Sequence, residues 1–187
     1  MTGVEIEYCG EGDKPYISDL FLRTFKESPW NSKMSKKDVD SYLDSILNSK
    51  DSICLVAKTK DTTESKFAGF ALGSKLGYTL NSEINENDTV YLSSIAVEPK
   101  KRGMGIGNQL LSEYMKRAEE QNFRYISLIT STKSEETLNF YKKFSFSKLE
   151  DERDLSPENT KTENICMFKR LNSDISGSYG ISGQINP

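Results

Sequence analysis

The stretch TVYLSSIAVEPKKRGMGIGNQLL, residues 89–111, decides the fold of this chain. It opens with a nearly continuous apolar run, residues 89–97, which is typical of a buried strand. A helical apolar periodicity begins at Ile106, and Leu110 and Leu111 continue it. Three glycines alternate with other residues just before and at the helix start: Gly103, Gly105 and Gly107. The stretch therefore predicts a strand, a glycine-rich loop and a helix in immediate succession.

The glycine-rich loop has the composition of a phosphate-binding site. Glycine lets the backbone approach a bulky ligand and present its N–H groups. The helix behind the loop adds unpaired donors and the positive end of its dipole. Three cations precede the glycines: Lys100, Lys101 and Arg102. The loop is therefore interpreted as a cradle for a phosphate or pyrophosphate, and the alternative is a flexible turn without a ligand.

Two familiar phosphate-binding loops are excluded by the neighbouring residues. A P-loop needs Lys and then Ser or Thr after its last glycine, and here Gly107 is followed by Asn108. A Rossmann fingerprint that begins at Gly103 needs a glycine or a small residue at position 108. It also belongs in the first strand–helix unit of a parallel sheet, whereas antiparallel-looking strands come first here.

The rest of the chain alternates strand and helix patterns around this stretch, in the order β-α-α-β-β-β-α-β-α-β-β. The first half suits antiparallel pairing, but the strand–helix–strand unit of residues 89–130 needs a parallel crossover. The order predicts an α/β protein with a mixed sheet and helices on both faces. We expect a single domain over residues 1–171 and a polar, Ser- and Gly-containing C-terminal tail over residues 172–187.

The composition excludes several classes of site. The 187 residues include no histidine, so a Ser-His-Asp or Cys-His relay cannot form, and zinc sites lose their commonest ligand. Lys and Arg number 25 against 28 Asp and Glu, which leaves no global basic field for nucleic acid. We therefore expect no nucleic-acid partner and no metal.

The cysteines and the apolar runs indicate the compartment. Cys9, Cys54 and Cys166 are odd in number and far apart, which favours a reducing compartment without a disulfide framework. Cys54 and Cys166 lie in apolar strands and are interpreted as small core residues. The first residues do not resemble a signal peptide, and no apolar run approaches the ~18 residues of a membrane span. We expect a cytoplasmic protein without a membrane partner.

Three segments resemble the GNAT family, the Gcn5-related N-acetyltransferases. The loop RGMGIG (102–107) matches the family's R/Q-x-x-G-x-G/A pattern. SIAVEP (94–99) is similar to its preceding strand, and FYKKFSF (140–146) to its F/L-Y-x-x-x-G-F helix end. The resemblance covers roughly residues 4–171. The segment around Pro29-Trp30-Asn31 is similar to a helix end in some bacterial small-molecule members.

The resemblance implies the GNAT fold: a mixed, mostly antiparallel sheet of about seven strands. It also implies a β-bulge in the strand at 90–97 and a splay between that strand and the one at 125–130. Acetyl-CoA would be the cosubstrate, with its pantetheine arm in the opening. The implied cofactor contacts are Ile95, Ala96 and Val97 for the arm, and Arg102, Gly103, Met104, Gly105, Ile106, Gly107 and Asn108 for the pyrophosphate. Ser134 stands where the family often has an Asn that contacts the arm.

The resemblance also implies a general acid. Tyr141 stands where the family has the tyrosine that protonates the departing CoA thiolate. The alternative is a packing role, because Leu138, Tyr141 and Phe144 form one apolar stripe of a helix. Ser145 replaces the family's glycine before Phe146, so a differently shaped turn is expected there.

The general base has no obvious candidate. Many family members use a Glu on the strand at 91–94, where this chain has Tyr-Leu-Ser-Ser. Tyr91 and Ser93 could order a water that carries the amine proton away, or they could simply pack in the strand. Because positioning dominates this chemistry, an amine that arrives neutral would also suffice.

The family builds its acceptor site from the first two helices and the loop at 74–88. Trp30 and Tyr78 are therefore the candidate substrate-binding residues, with ordinary packing as the alternative. The expected acceptor is a small cationic amine, such as a polyamine or an aminoglycoside, or a peptide amine, and the protein is expected to be a monomer or homodimer. The competing hypothesis is an acyl-CoA sensor with the same fold and no turnover.

Overall fold

A computed structural model describes residues 3–26, 29–60, 66–77, 84, 86–149 and 164–171. Within these residues, strands and α-helices follow one another in the predicted order. The strands are β1 (Val4–Tyr8), β2 (Ser52–Thr59), β3 (Phe67–Lys75), β4 (Thr89–Val97), β5 (Tyr125–Ser131), β6 (Ser147–Lys148) and β7 (Asn164–Arg170). The helices are α1 (Lys14–Phe25), α2 (Lys36–Leu47), α3 (Ile106–Glu120) and α4 (Glu135–Lys143). The predicted tail, residues 172–187, lies outside the described residues, so its role and the domain boundary stay predictions.

The described strands form one seven-stranded sheet in the order β1-β2-β3-β4-β5-β7-β6. Neighbouring strands run antiparallel except for β4 and β5, which are parallel and are joined by α3. A parallel pair needs such a crossover because its second strand must start again at the same end of the sheet. The predicted mixed, mostly antiparallel α/β architecture is confirmed.

Helices cover both faces of the sheet. On one face, Leu110, Leu111 and Tyr114 of α3 pack with Ile53 and Leu55 of β2, and all five are buried. This group is called the α3 cluster. It also contains Tyr141 of α4.

On the other face, Ile17 and Leu20 of α1 and Leu43 of α2 pack with Val56 and Phe70 of the sheet. This group is called the α1–α2 cluster. A smaller apolar cluster lies beside β5 and β7 and consists of Leu76, Ile84, Leu149 and Cys166. Among the described residues, no helix combines the length and apolarity that a membrane crossing requires.

The turn after α4 keeps a glycine-like conformation although it carries a serine. Ser145 has φ 62°, in the left-handed region that glycine adopts most easily. Its N–H donates to the Lys142 carbonyl at 2.9 Å, and the Phe146 N–H donates to the Tyr141 carbonyl at 3.2 Å. These bonds hold Ser145 in that region, and the expectation that the turn is shaped differently from the family's stays a prediction.

Candidate functional site

Strand β4 contains the bulge that the resemblance implied. Leu72 of β3 pairs with Ser94, but the next residue, Gly73, pairs with Leu92. Ser93 is therefore an extra residue without a partner of its own on β3, which is the definition of a β-bulge. The bulge is confirmed and its position is Ser93.

The bulge changes which side chains of β4 face α3. Before it, Val90 and Leu92 belong to the α3 cluster, whereas after it Ile95 and Val97 pack there. Ala96 lies in the α1–α2 cluster on the opposite face. Because side chains alternate along a strand, only an inserted residue allows both pairs to face the same helix.

Two serine hydroxyls stabilise the bulge. The Ser93 Oγ donates to the Leu72 carbonyl at 2.9 Å, and the Ser94 Oγ donates to the Ser93 carbonyl at 2.7 Å. Each hydroxyl thus satisfies a backbone acceptor at the point where the ladder is interrupted. Ser93, predicted as a water-ordering residue, uses its proton in this bond, so its role toward a water stays a prediction.

Glycine is required opposite the bulge. A Cβ on Gly73 would lie 1.9 Å from the Tyr91 carbonyl oxygen and 2.4 Å from the Tyr114 hydroxyl. The Tyr114 hydroxyl donates to that same carbonyl at 3.3 Å, from the fully buried ring of α3. Burial strongly raises the pKa of Tyr114, which keeps the phenol protonated as a donor.

Beyond Tyr91, β4 separates from β5. The two strands pair at only three positions, Thr89–Tyr125, Val90–Ile126 and Tyr91–Ser127. The ladder with β3 uses the backbone groups on one side of β4, so those on the other side of residues 92–97 have no strand partner among the described residues. The predicted splay is confirmed. The predicted contacts Ile95, Ala96 and Val97 lie on this separated segment.

The glycine loop follows at the open end of β4. Gly103 and Gly105 have φ values of 76° and 78°, and apart from their chain neighbours no described residue has an atom within 4 Å of a Cβ built on either. Gly105 is the N-cap of α3 and provides no side-chain cap. The first backbone bond at this helix start is from the Gln109 N–H to the Gly105 carbonyl, at 3.1 Å. The N–H groups of residues 106–108 are therefore donors at an open surface, which suits a phosphate.

The cationic side chains before the glycines do not all point to a common phosphate site, as the sequence had indicated, because Lys101 and Arg102 bond to other parts of the protein. The Lys101 ammonium donates to the Thr59 hydroxyl at 3.1 Å and to the Phe67 carbonyl at 3.3 Å, on the β2–β3 side. The exposed Arg102 donates from Nε to the Val97 carbonyl at 3.2 Å. Met104 is exposed, whereas the Ile106 side chain lies in the core. Two of the three predicted cations, Lys101 and Arg102, thus bond to acceptors of the protein itself, and the role of this loop as a phosphate cradle stays a prediction.

Tyr141 lies on the buried face of α4 and is only 6% exposed. Its ring packs against Phe140 and Phe146, with centroids 5.2 and 5.6 Å away. Burial raises the pKa of Tyr141 above its ordinary value, so the hydroxyl stays protonated. The packing role is thus present, and the role of general acid stays a prediction.

The other predicted residues have structural partners of their own. Tyr91 packs against the small cluster beside β5 and β7. Ser134 is the N-cap of α4, and its hydroxyl bonds to the Thr137 hydroxyl at 2.7 Å. Trp30 is 38% exposed and meets the Phe25 ring edge to face at 5.5 Å. Tyr78 lies outside the described residues.

The structure adds an ion pair that the sequence did not indicate. Arg23 of α1 forms two bonds to the Glu98 carboxylate, at 2.8 and 3.3 Å. Glu98 is the first residue after β4, so the pair attaches α1 to the entrance of the glycine loop. The Glu98 carboxylate raises the pKa of Arg23. No local sequence signal connects two residues so far apart.

A second unexpected feature is Ser127, the last residue of β5 that pairs with β4. Its hydroxyl is buried and has no hydrogen-bond partner among the described residues. In the sequence, the one sign of this feature is a polar residue between the apolar residues Ile126 and Leu128.

A sheet that opens beside a bulged strand, followed by a glycine loop and a helix start, defines an acetyltransferase fold. The chain belongs to the Acetyltransferase (GNAT) family, whose sequence model matches residues 15–146. A comparison with curated proteins finds no match.

Solved structures share this fold along most of the chain. A GNAT-family acetyltransferase of Staphylococcus aureus Mu50 is 20% identical, with TM-score 0.68 and coverage of 90% of this chain and 99% of that one. A GNAT-family N-acetyltransferase of Escherichia coli, in complex with CoA, is 21% identical, with TM-score 0.66 and coverage of 93% and 84%. A phosphinothricin acetyltransferase of Sinorhizobium meliloti, in complex with AcCoA, is 18% identical, with TM-score 0.68 and coverage of 91% and 89%.

Proposed function

We propose that this protein is an N-acetyltransferase that moves an acetyl group from acetyl-CoA to a primary amine. The amine would attack directly, within a ternary complex and without a covalent enzyme intermediate. The observation that carries the proposal is the separation of β4 from β5 after Tyr91, beside a glycine loop with open backbone donors. Family membership supports the same reaction class.

The residues present fit acetyl-CoA. The free backbone edge of residues 92–97 suits an arm with amide groups, which can pair with it as a strand would. The N–H groups of residues 106–108, with the positive end of the α3 dipole, suit a pyrophosphate. Because Gly103 and Gly105 leave open space above the loop, a phosphate can approach that backbone closely.

Bound acetyl-CoA supplies an activated thioester. The bulge at Ser93 turns backbone groups of β4 toward the opening, where an N–H can stabilise the negative charge that develops on the carbonyl oxygen. The Tyr141 hydroxyl, kept protonated by burial, would donate its proton to the departing sulfur.

The amine proton has no carboxylate to receive it on β4. Residues 89–97 read TVYLSSIAV, without Asp or Glu. Tyr91 and Ser93 would therefore act through an ordered water, or the amine would arrive deprotonated and rely on positioning.

We further propose a small cationic amine, of the polyamine or aminoglycoside kind, or a peptide amine as the acceptor. A net charge of −3 favours a cationic partner weakly. The acetyltransferase of Sinorhizobium meliloti named for phosphinothricin supports a small molecule. Trp30, exposed at the end of α1, is the described residue proposed to line the acceptor site, together with Tyr78.

The test is CoA release over a panel of amines, with the parent protein, Tyr141→Phe and the surface variant Tyr16→Phe. Loss of the acid should lower turnover by ~10²-fold or more while acetyl-CoA binding persists. Tyr16 is exposed on α1, so its variant should match the parent. Equal rates in the parent and Tyr141→Phe would remove Tyr141 from the mechanism.

The second candidate is an acyl-CoA sensor, favoured by the absence of a carboxylate on β4 and by the burial of Tyr141. The same panel separates the two functions. A sensor binds acetyl-CoA but releases no CoA with any amine, whereas the enzyme releases CoA with at least one.

A further inference from the structure

We propose that Cys9 and Cys54 form a site of reversible disulfide formation, oxidised by hydrogen peroxide or another hydroperoxide. The proposal concerns the junction between β1 and α1 and does not depend on acyl transfer. In the structure neither Cys9 nor Cys54 is part of a disulfide.

The sheet register brings the two cysteines together. Strands β1 and β2 pair from Val4–Thr59 to Tyr8–Leu55, so the next antiparallel pair is Cys9 with Cys54. The Cys9 N–H donates to the Cys54 carbonyl at 2.9 Å, which continues the ladder by one residue. Directly opposed residues of this kind have Cα atoms about 5.5 Å apart, inside the roughly 4.4–6.8 Å range of disulfides. The Cβ atoms of such a pair lie roughly 4.5–5.5 Å apart, whereas a disulfide needs about 3.5–4.5 Å, so the bond requires a local backbone adjustment. Cys9 follows the last paired residue of β1, which is where such an adjustment is least restricted.

The two side chains share a face and differ in access. Both pack in the α1–α2 cluster. Cys9 is half-buried, whereas Cys54 is 5% exposed. An accessible thiol beside a protected one is the arrangement of a peroxide-reactive cysteine with a resolving partner.

The electrostatics of the pair assign the two roles. The neighbouring Cys54 thiol lowers the pKa of Cys9, and the Lys58 ammonium adds to this effect against burial and Asp13. In the structure the Cys9 thiol donates to the Gly10 carbonyl at 3.4 Å. The proximity of Cys9 and burial raise the pKa of Cys54. Cys9 is therefore the nucleophile, because the thiolate is the reactive form.

The reaction balances in two steps. The Cys9 thiolate attacks one peroxide oxygen, the O–O bond breaks, and the products are a sulfenic acid on Cys9 and, after protonation, water. Cys54 then attacks the Cys9 sulfur, the S–S bond forms, and the hydroxyl leaves with the Cys54 proton as a second water. The two sulfurs together lose two electrons and the peroxide gains them, and a dithiol reductant reverses the change.

Cys166 provides an internal control. It lies on β7, opposite Ile129 of β5, and belongs to the small cluster with Leu76 and Leu149. It is buried, and the β1–β2 pair is at the other end of the sheet. Peroxide should therefore leave Cys166 reduced in the folded protein.

The experiment treats the folded full chain with a small molar excess of hydrogen peroxide, alkylates the remaining thiols and maps the peptides under non-reducing conditions. The expected product is one cross-linked species that joins the Cys9 and Cys54 peptides, with Cys166 alkylated, and dithiothreitol restores both thiols. The same treatment in urea should give mixed pairings, since the fold no longer selects the partner.

Variants identify the roles. Cys9→Ser should abolish the cross-link, Cys166→Ser should leave it unchanged, and Cys54→Ala should trap Cys9 as a sulfenic acid that dimedone labels. Circular dichroism confirms that each variant is folded. The proposal is overturned if Cys9 and Cys54 both remain alkylatable in the treated parent, or if the folded protein links either of them to Cys166 instead.

Discussion

Strand β4 has two borders, and they differ sharply. Its border with β3 contains seven paired positions interrupted by one bulge, whereas its border with β5 contains three pairs and then opens. On the β3 side, the Ser93 hydroxyl bonds to the Leu72 carbonyl and the Tyr114 hydroxyl bonds to the Tyr91 carbonyl. Gly73 has no side chain, which lets the Tyr91 carbonyl come close to β3. On the β5 side, the backbone of residues 92–97 is left for another partner. A strand held firmly along one border can offer its other border to a ligand.

The largest predicted effect is on the β3 border. Gly73→Ala places a Cβ against the Tyr91 carbonyl, so we expect a loss of about 3 kcal/mol or more in the free energy of unfolding. Urea unfolding measures it. Gly77→Ala is the matched control, because apart from its chain neighbours no described residue has an atom within 4 Å of a Cβ there. A stable Gly73→Ala protein would mean that the bulge does not bring the Tyr91 carbonyl this close.

High pH tests the β3 border and the packing of α4, since burial raises the pKa of Tyr114 and of Tyr141. Both phenols are neutral in the fold, so their contribution to stability is complete below pH ~10 and is lost as pH rises further. We expect the free energy of unfolding to fall by ~1–3 kcal/mol per pH unit above that point. Urea midpoints across this range check it. Tyr114→Phe and Tyr141→Phe should each make the free energy of unfolding fall less steeply with pH. If the fall is unchanged in both variants, the two buried phenols do not cause it.

A smaller effect is expected at the bulge itself. Ser93→Ala removes the bond to the Leu72 carbonyl and should cost about 1–2 kcal/mol. It should also weaken acetyl-CoA binding, because the bulge orients the backbone groups of β4 that we propose to contact acetyl-CoA. Ser147→Ala, on an exposed strand position, serves as the control in the same unfolding and binding assays. If Ser93→Ala binds acetyl-CoA as tightly as the parent does, the bulge does not determine the binding properties of the open border.

The smallest effect belongs to the last pair before the opening. Ser127→Ala removes a buried hydroxyl that has no partner in the described part of the chain, so stability should be unchanged or rise by up to about 1 kcal/mol. Thermal unfolding detects the change. A clear destabilisation would reveal a hydrogen-bond partner for this hydroxyl and a tighter β4–β5 border than the register indicates.

The open border was predictable because its signals are local. The apolar run of residues 89–97, the glycines and the helix start are adjacent in the chain, and the family pattern added the bulge and the splay. The order of helices and strands followed from periodicity in the same way.

The remaining features depend on contacts between distant residues. The position of the bulge at Ser93 is set by register against β3, which no local pattern encodes. Lys101 looked like a phosphate ligand, yet Thr59 and Phe67 hold its ammonium. Arg23 meets Glu98 only because α1 crosses the end of β4. Such pairings are visible only once the sheet is assembled.

The central claim is that the backbone at the open border and the glycine loop bind acetyl-CoA. Calorimetric titration of acetyl-CoA into the parent, Gly105→Ala, Gly105→Glu and Gly77→Glu tests it directly. Both Gly105 variants strain a residue with φ 78°, but only Glu also adds bulk and negative charge at the helix start. We predict binding by the parent and Gly77→Glu, weakened binding by Gly105→Ala, and none by Gly105→Glu. An unchanged Kd in folded Gly105→Glu would contradict the account.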